Sequence, residues 1–216
     1  MQLAMRLSRR RLMLASGAAF ALGGCSNLIG PLPAPQIYRL EPLLPAASVG
    51  APVSWQLAIE RPEALHALDT ERIALSRGAA MDYYADAEWN DTVPRLVQSL
   101  LVQAFGQGGR IAGVAPESEG LRADYLLATA IRDFEAQYDS ENGAPTAVVA
   151  IAAKLLDARG KVLSSLEARG TARAARNSVP DVVTAFDEAL GAALAQIVVW
   201  TLKVSPPSVL RESVKS

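Results

Sequence analysis

Hydrophobic and polar positions alternate along several short segments in the first half of the chain, which is the pattern of half-buried β-strands. In residues 53–59 (VSWQLAI), apolar side chains recur at every second position from residue 55 onwards. A shorter strand is expected at residues 37–40, just after a proline-rich stretch. Residues 61–69 show no clear period, so they predict a loop or a single turn of helix.

Two further strands are predicted at residues 72–76 and 81–89, on either side of a turn at Arg77 and Gly78. The second strand has an alternating pattern over its whole length. One face is expected to carry Tyr83, Ala85, Ala87 and Trp89, and the other Asp82, Tyr84, Asp86 and Glu88. On this pattern Tyr83 and Trp89 share a face, and Tyr84 lies on the opposite one.

Helical spacing replaces alternation after residue 90. Asp91 is a suitable N-cap, Pro94 lies in the predicted first turn, and apolar residues recur at i, i+3, i+4 and i+7 as far as Phe105. A glycine-rich turn ends this helix. A second long helix is predicted to start at residues 178–181, which resemble a capping box. Its uncharged stretch, residues 189–202, is shorter than the roughly 20 residues that a membrane span needs.

Three longer runs between the two helices predict an antiparallel meander, at residues 123–138, 145–156 and 161–174. Asn142 and Gly143 indicate a hairpin at the first turn. The middle run is apolar on both faces, which predicts a central strand. The expected fold class is therefore α+β, a two-layer domain with one mainly antiparallel sheet and two main helices.

The first residues have the composition of an export signal. Arginines at positions 6 and 9–11 form a positively charged start, and residues 12–22 form an uncharged apolar run. Leu22-Gly23-Gly24-Cys25 follows directly and contains the only cysteine of the chain. This order resembles a bacterial lipobox, in which the cysteine sulfur receives diacylglycerol and the freed amine a further acyl chain such as palmitate. A buried free thiol or a plain secretory signal is the alternative interpretation.

The arginine-rich start also bears on the export route. Residues 8–12 (SRRRL) resemble a twin-arginine motif, with a serine before the pair and an apolar residue after it. A generic positively charged signal would contain the same residues, so the general secretory route and the twin-arginine route both remain open. The second route would require the domain to fold before it crosses the membrane.

The predicted organisation has four parts. Residues 1–24 are the signal peptide, 25–37 the lipidated cysteine with a proline-rich tether, 38–204 the folded domain, and 205–216 a loose tail. Cleavage before Cys25 would leave 192 residues with 17 basic and 22 acidic side chains, a net charge of −5. A mildly acidic protein suits attachment through lipid better than electrostatic attraction to anionic headgroups.

Composition narrows the function classes further. The 216 residues include 21 Lys and Arg against 22 Asp and Glu, so no basic footprint for nucleic acid is expected. A single cysteine excludes a disulfide framework and a thiolate metal cluster, and a single histidine removes most zinc sites and His-dependent triads. The balance of residues favours a binding protein over an enzyme.

No nucleophile elbow, zinc-binding helix motif, Walker loop or dinucleotide-binding glycine pattern occurs in the sequence. His66 lies near Glu63 and Asp69, but a surface histidine in a polar loop is the simpler interpretation than an acid–base group. Residues 139–142 lack the twelve-residue calcium-loop pattern and fit the tip of a hairpin. We therefore predict no catalytic residue, no cofactor and no metal site. Cys25, as the acceptor of lipid, is the one residue with assignable chemistry.

A set of structural residues spread over residues 20–140 carries a family resemblance. These are the lipobox Leu22-Gly23-Gly24-Cys25, Tyr38-Arg39-Leu40, Leu68-Asp69-Thr70, Arg72-Ile73-Ala74, Tyr83-Tyr84-Ala85-Asp86-Ala87, Trp89, Pro94, Leu96, Ala104-Phe105, Ala123-Asp124-Tyr125 and Leu127. With them the chain resembles the auxiliary lipoproteins of ABC-type transport systems, the family that includes the paraquat-inducible-operon lipoprotein and accompanies MCE (mammalian cell entry) proteins. From Val179 onwards the likeness is only a helix in the corresponding place.

The resemblance implies a non-catalytic, lipid-anchored accessory subunit in the periplasm. In such systems an ABC permease and its ATPase drive movement of phospholipid or another hydrophobic molecule, and an MCE protein carries the cargo between the membranes. The subunit would dock this assembly at the outer membrane, which Ser26 after the cysteine also favours. The implied fold is similar to the N-terminal domain of TolB. A homo-oligomeric ring of the subunit is a further arrangement that the resemblance allows.

Two other function classes stay open beside this one. The first is an outer-membrane lipoprotein that regulates an envelope enzyme such as a peptidoglycan synthase, although a tether of about 11 residues reaches only roughly 35–40 Å. The second is a lipid-anchored hydrolase, for which no nucleophile–base pair is visible. For the accessory subunit, we expect the sheet edges and the Tyr83–Trp89 segment, including Tyr84, to offer contact surface.

Overall fold

A computed structural model of the protein describes residues 34–44, 52–107, 109–140 and 143–204. All helices and strands of the described residues belong to one compact unit that begins at Pro35. The predicted signal peptide and most of the tether lie outside the described residues, as does the predicted tail.

The domain contains nine strands and two long helices within the described ranges. In chain order they are β1 (Gln36–Tyr38), β2 (Val53–Ile59), β3 (Glu63–Ala64), β4 (Arg72–Arg77), β5 (Ala80–Trp89), α1 (Val93–Gly106), β6 (Ile111–Pro116), β7 (Tyr125–Gln137), β8 (Thr146–Asp157), β9 (Val162–Arg173) and α2 (Val179–Lys203). A single 3-10 turn, Glu117–Glu119, follows β6. Apart from β3, β6 and this 3-10 turn, every element was predicted from the sequence to within a few residues.

One sheet contains all nine strands, and β7 is at its centre. On one side β7 pairs along its length with β8, and β8 with β9, both antiparallel. On the other side β2, β3 and β4 lie parallel to successive parts of β7. The sheet continues from β2 to β6, and from β4 through β5 to β1. Three of its edges are therefore formed by β9, β6 and β1.

This architecture confirms the α+β class with two main helices. The two longest pairings are antiparallel, as the meander pattern predicts. The sheet as a whole is mixed, because β1, β2, β3, β4 and β6 also form parallel pairs. β8, the strand that is apolar on both faces, has β7 on one side and β9 on the other, so it is an interior strand of the sheet. The central position belongs to β7.

The two helices pack on the sheet and contact each other, α1 against β2 and β6 and α2 against β8 and β9. At the centre of the core, Phe186 of α2 stacks on Phe134, with ring centroids 5.1 Å apart. The ring of Trp89 packs edge-on against Phe186, with centroids 5.3 Å apart. By length and composition α2 could cross a membrane, but 61% of its most apolar window is buried inside the domain. We interpret α2 as the main core helix.

A bulge in β5 overturns the predicted alternation of that strand. Tyr83 pairs with Ala74 and Glu88 pairs with Arg72, so five steps on β5 match two steps on β4. Paired residues share a face of the sheet, and residues two apart on β4 also share one. Tyr83 therefore lies on the same face as Glu88 and opposite to Trp89. The prediction that Tyr83 and Trp89 share a face was wrong, because alternation assumes an uninterrupted ladder.

Both helix starts differ in detail from the predicted caps. The N-cap of α1 is Thr92, and Asp91 instead accepts a hydrogen bond from the Thr92 N–H at 2.7 Å. At α2 the N-cap is Ser178 as predicted, but its hydroxyl donates to the Asp181 carboxylate rather than capping a backbone N–H. The Ser178 hydroxyl and then the Arg176 guanidinium hold the pKa of Asp181 below its usual value.

Candidate functional site

Cys25, the predicted lipid acceptor, lies outside the described residues, as does the rest of the lipobox. The part of the chain that the structure describes is the domain that this anchor would carry. Several places on its surface have geometry suited to contact with a partner or ligand.

Residues 39–44, which we call the strap, connect β1 to the helical layer. Leu40 and Pro42 are buried. The Glu41 N–H donates a 2.7 Å hydrogen bond to Oδ1 of Asp187 in α2. The strap crosses α2 at Gly191, where a Cβ would lie 3.1 Å from the Leu43 carbonyl oxygen. The first stretch of chain after the tether is thus bound to the core helix through its backbone.

Partial burial raises the pKa of Asp187, and the charge of Glu41 adds to this effect while the Glu41 N–H opposes it. Between the strap and α1 lies an open depression of about 560 Å³. Its far wall is formed by Leu100, Gln103 and Gln107. Leu43, on the rim, is 94% exposed. Such a depression can receive a side chain of a partner but does not enclose a substrate.

A second depression, of about 470 Å³, lies where the parallel strands β2 and β6 end beside the start of α1. It is lined by Arg61, Arg95, Gln98, Glu117 and Ser118. The Gln98 side chain donates to the Ile59 carbonyl at 2.9 Å, and Arg61 is paired with Asp69 at 2.7 Å. Burial, followed by the charges of Glu117 and Glu63, raises the pKa of Glu60 nearby. Charges of both signs meet here, so no single ligand charge is favoured.

The face of the sheet opposite the helices carries a polar network. Glu135 is 9% exposed, and one of its oxygens accepts hydrogen bonds from the Ser76 hydroxyl at 2.8 Å and the Gln137 amide at 3.0 Å. Asp133 lies two residues before Glu135 on β7. It forms an ion pair with Arg169 of β9 at 3.1 Å. This pair spans the strand between them, which has only the small side chain of Ala150 at that register.

Two tyrosines join the end of β7 to the start of α2. The Tyr138 hydroxyl donates to Oδ1 of Asn177 at 2.8 Å, so Tyr84 donates to Tyr138, also at 2.8 Å. The guanidinium of Arg77 lies over the Tyr138 ring, 4.9 Å from its centroid. Burial, and then the hydrogen bond with Tyr138, raises the pKa of Tyr84. The hydroxyl of Tyr84 is thus engaged inside the domain.

The Tyr83–Trp89 segment differs from the contact surface expected for it. Trp89 is only 1% exposed and packs against Phe134 and Phe186, so it is a core residue and the prediction for it was wrong. Tyr84 is half-buried. Tyr83 lies on the other face, with its hydroxyl bonded to the Ala67 carbonyl at 3.0 Å.

Residues considered for catalysis are not brought together within the described ranges. His66 and Glu63 are exposed, and Asp69 pairs with Arg61 rather than with His66. Asp139 lies 3.9 Å from Arg173, and positions 141 and 142 lie outside the description. No group of three or more His, Cys, Asp or Glu side chains that could hold a metal ion occurs in the described residues.

Sequence reasoning did not identify the strap, the Tyr138–Asn177 bond or β6. The strand predicted at residues 37–40 gave no indication that the backbone after it continues onto α2. β6 has the sequence IAGVAP, in which small residues and a glycine weaken the alternation that would indicate a strand. Its pairing partner β2 is more than 50 residues away, so no local signal marks it.

The fold and these surfaces define a two-layer α+β domain with open depressions. Comparison with known proteins agrees with this class. A protein of Xanthomonas campestris with a crystal structure is 29% identical, with a TM-score of 0.73 over 78% of this chain and 95% of that one. A second solved structure, of an uncharacterized protein, has a TM-score of 0.61 at 14% identity, over 78% of this chain and 99% of that one, and shows the shared fold alone.

The family model for the ABC-type transport auxiliary lipoprotein component matches residues 38–198. The chain belongs to this family. An uncharacterized protein of Bradyrhizobium diazoefficiens is 28% identical over 150 residues, which is 69% of this chain. The chain spans about two fifths (40%) of the length of that relative. The members of this family are auxiliary lipoprotein components of ABC-type transport systems.

Proposed function

We propose that the protein is a periplasmic, non-catalytic accessory subunit of an MCE/ABC-type transport system, attached to the outer membrane through acyl chains on Cys25. Its partners are an MCE-domain protein and the permease and ATPase of the transporter. The cargo is phospholipid or another hydrophobic molecule moving between the inner and outer membranes. The observation that carries this proposal is the family match over residues 38–198, which covers nearly the whole predicted domain.

The geometry of the domain supports docking over catalysis. Its depressions are open, and beside the second one Arg61 is paired with Asp69 and Gln98 with the Ile59 carbonyl. The strap binds the chain to α2 within a few residues of the predicted tether, through Leu40, Pro42 and the Glu41–Asp187 hydrogen bond. A pull on the anchor would therefore be transmitted to the core helix.

Of the contact surfaces expected from the sequence, the sheet edges remain the best candidates. β1 is an edge strand that directly follows the tether, and its Ile37 side chain is 59% exposed. We propose that this edge meets the MCE partner. A homo-oligomeric ring of the subunit is a second feature of the proposal, since a ring would match a ring-shaped partner.

The test is a gentle detergent pull-down of the full chain with a C-terminal tag, followed by mass spectrometry. A Cys25→Ala copy and a Ser26→Ala copy serve as the altered and matched variants. We expect the unaltered and Ser26→Ala chains to recover an MCE protein with its permease and ATPase, and to fractionate with the outer membrane. Cys25→Ala should leave the membrane fraction because stable anchoring needs acyl chains.

Other outcomes would redirect the proposal. Recovery of a cell-wall synthase without transporter subunits would favour the regulator of an envelope enzyme. A Cys25→Ala copy that stays in the membrane would contradict lipid attachment at this residue. Fractionation of the unaltered chain with the inner membrane alone would contradict docking at the outer membrane.

A further inference from the structure

Strand β9 forms a long edge of the sheet, and a helix side chain is bound to its backbone. Gln196 of α2 accepts a hydrogen bond from the Arg169 N–H at 3.3 Å and donates one to the Arg169 carbonyl at 2.7 Å. The side-chain amide of Gln196 thus binds both the backbone N–H and the backbone carbonyl of Arg169, as the backbone of a neighbouring strand would. We call this pair of hydrogen bonds the Gln196 clamp.

The clamp shows which backbone groups of β9 point away from the sheet. In an antiparallel ladder, residues alternate between facing the neighbouring strand and facing outwards. Arg169 faces outwards because its N–H and carbonyl bind Gln196, while the Ala174 N–H faces inwards and bonds to the Pro145 carbonyl. The register with β8 is regular from Ser164 to Arg173. The odd-numbered residues of this stretch therefore present free-edge backbone groups, namely Ser165, Glu167, Arg169, Thr171 and Arg173.

The side chains of those same residues are exposed and self-complementary. If a second copy of β9 adds antiparallel about Ala168, Glu167 of each copy lies opposite Arg169 of the other. Ser165 then lies opposite Thr171. Opposite charges at directly paired positions stabilise a strand pair, whereas like charges destabilise it. Pairing about Ala168 therefore does two things at once. It brings the outward backbone groups of the two β9 strands together, and it places Glu167 of each copy opposite Arg169 of the other.

We propose that the β9 edge is a latent pairing surface for a second copy of this chain, and that the Gln196 clamp holds it closed. Four bonds of the pairing, two for Arg169 in each copy, form only after Gln196 releases the backbone groups of Arg169. Exposed edges are a known route to unwanted association, and proteins block them with local devices. Here the device is a side chain from the core helix, so the closed edge depends on how α2 packs against β9.

The test compares full-length, lipidated chains in detergent micelles by analytical ultracentrifugation. The altered variant is Gln196→Ala, and the matched control is Gln103→Ala, an exposed helix position whose side chain makes no hydrogen bond within the described ranges. Removing the clamp should tighten dimerisation about tenfold, since each copy no longer breaks two hydrogen bonds before pairing. Gln196→Asn, which keeps an amide but is one methylene too short, should behave like Gln196→Ala.

Charge exchange tests the register. In the Gln196→Ala background, Glu167→Arg places two arginines opposite each other, and Arg169→Glu two glutamates, so each should weaken the dimer about tenfold. The double exchange Glu167→Arg with Arg169→Glu should restore it. Asp133→Asn is added to all of these variants, because Asp133 pairs with Arg169 across β8 and would otherwise repel the new carboxylate. Co-expressed Ser165→Cys and Thr171→Cys copies should form a disulfide between chains, while Ser165→Cys alone should not.

Several results would overturn the proposal. One is an unchanged self-association of both Gln196 variants while circular dichroism shows that they are folded. Another is a dimer that responds equally to Gln103→Ala. A third is a dimer in which the double charge exchange fails to rescue the single ones, because the contact would then lie elsewhere on the chain.

Discussion

Gly170 of β9 lies against the Ala189 carbonyl oxygen of α2, so close that a Cβ at position 170 would be 1.9 Å from that oxygen. The obstructing atom belongs to the backbone of the core helix, and a rotamer change cannot move it. The absence of a side chain at Gly170 therefore sets the distance between the longest helix and the edge strand. The Gln196 clamp lies nearby on the same two elements.

We expect Gly170→Ala to destabilise the domain by about 3 kcal/mol or more, the upper end for overpacking, because α2 must move away from the sheet. Urea unfolding followed by circular dichroism measures this. Gly113→Ala is the control, since a Cβ there would meet only the Gln56 side chain at 3.6 Å. Equal midpoints for the two variants would show that α2 tolerates displacement.

Phe186→Ala should cost about 3–5 kcal/mol, because the ring is fully buried between Phe134 and Trp89 and its loss leaves a cavity. Val199→Ala, at a position of the same helix that is 47% exposed, should change stability by no more than about 0.5 kcal/mol. Both are read from urea midpoints. A loss below 1 kcal/mol at Phe186, measured with a two-state transition, would contradict its central place in the core.

The tyrosine pair should behave as one coupled unit. Tyr84→Phe removes one hydrogen bond and should cost about 1 kcal/mol, whereas Tyr138→Phe removes two and leaves the Tyr84 hydroxyl without its acceptor, at a cost of about 2 kcal/mol. The double variant should cost less than the sum, since both single changes remove the shared bond. Strict additivity in a double-mutant cycle would show that the two hydroxyls do not interact.

Asp187 should make the stability of the domain depend on pH. Its pKa is raised in the folded state, mainly by burial, so the folded state holds the proton more tightly than the unfolded chain. The resulting stabilisation is complete below the unfolded pKa of about 3.9 and is lost as the pH rises through the folded value. Asp187→Asn keeps the acceptor for the Glu41 N–H but cannot ionise. It should match the unaltered chain at low pH and become the more stable protein above that range.

The effect is measured as the difference between the urea midpoints of the unaltered chain and of Asp187→Asn across this pH range. Taking the difference removes the contribution of the other carboxylates, which are the same in both proteins. Val199→Ala, at a half-exposed position of the same helix, is the control, because it changes no titratable group and its difference from the unaltered chain should not vary with pH. A difference for Asp187→Asn that stays constant with pH, or changes in the opposite direction, would contradict a raised pKa.

The sequence by itself determined the elements whose signal is local. Helical periodicity located α1 and α2, and alternation located β2 and β5. Runs between turn signals located β4 and the antiparallel meander of β7, β8 and β9. The resemblance that these residues carry led to the correct family. Such patterns are local because burial on one face imposes a period of 2 or 3.6 on neighbouring residues, whatever the distant partner is.

Only the tertiary structure decided which strands pair in parallel, where β5 changes face and which backbone groups meet a side chain. The bulge before Trp89 moved Tyr83 to the opposite face although the alternation is unbroken in the sequence. Gly170 contacts Ala189, and Gln196 binds Arg169. In each case the partner is about 20 to 30 residues away along the chain. Contacts of this kind arise when separate elements pack together, and the period of either element alone does not specify which of its residues will meet the other.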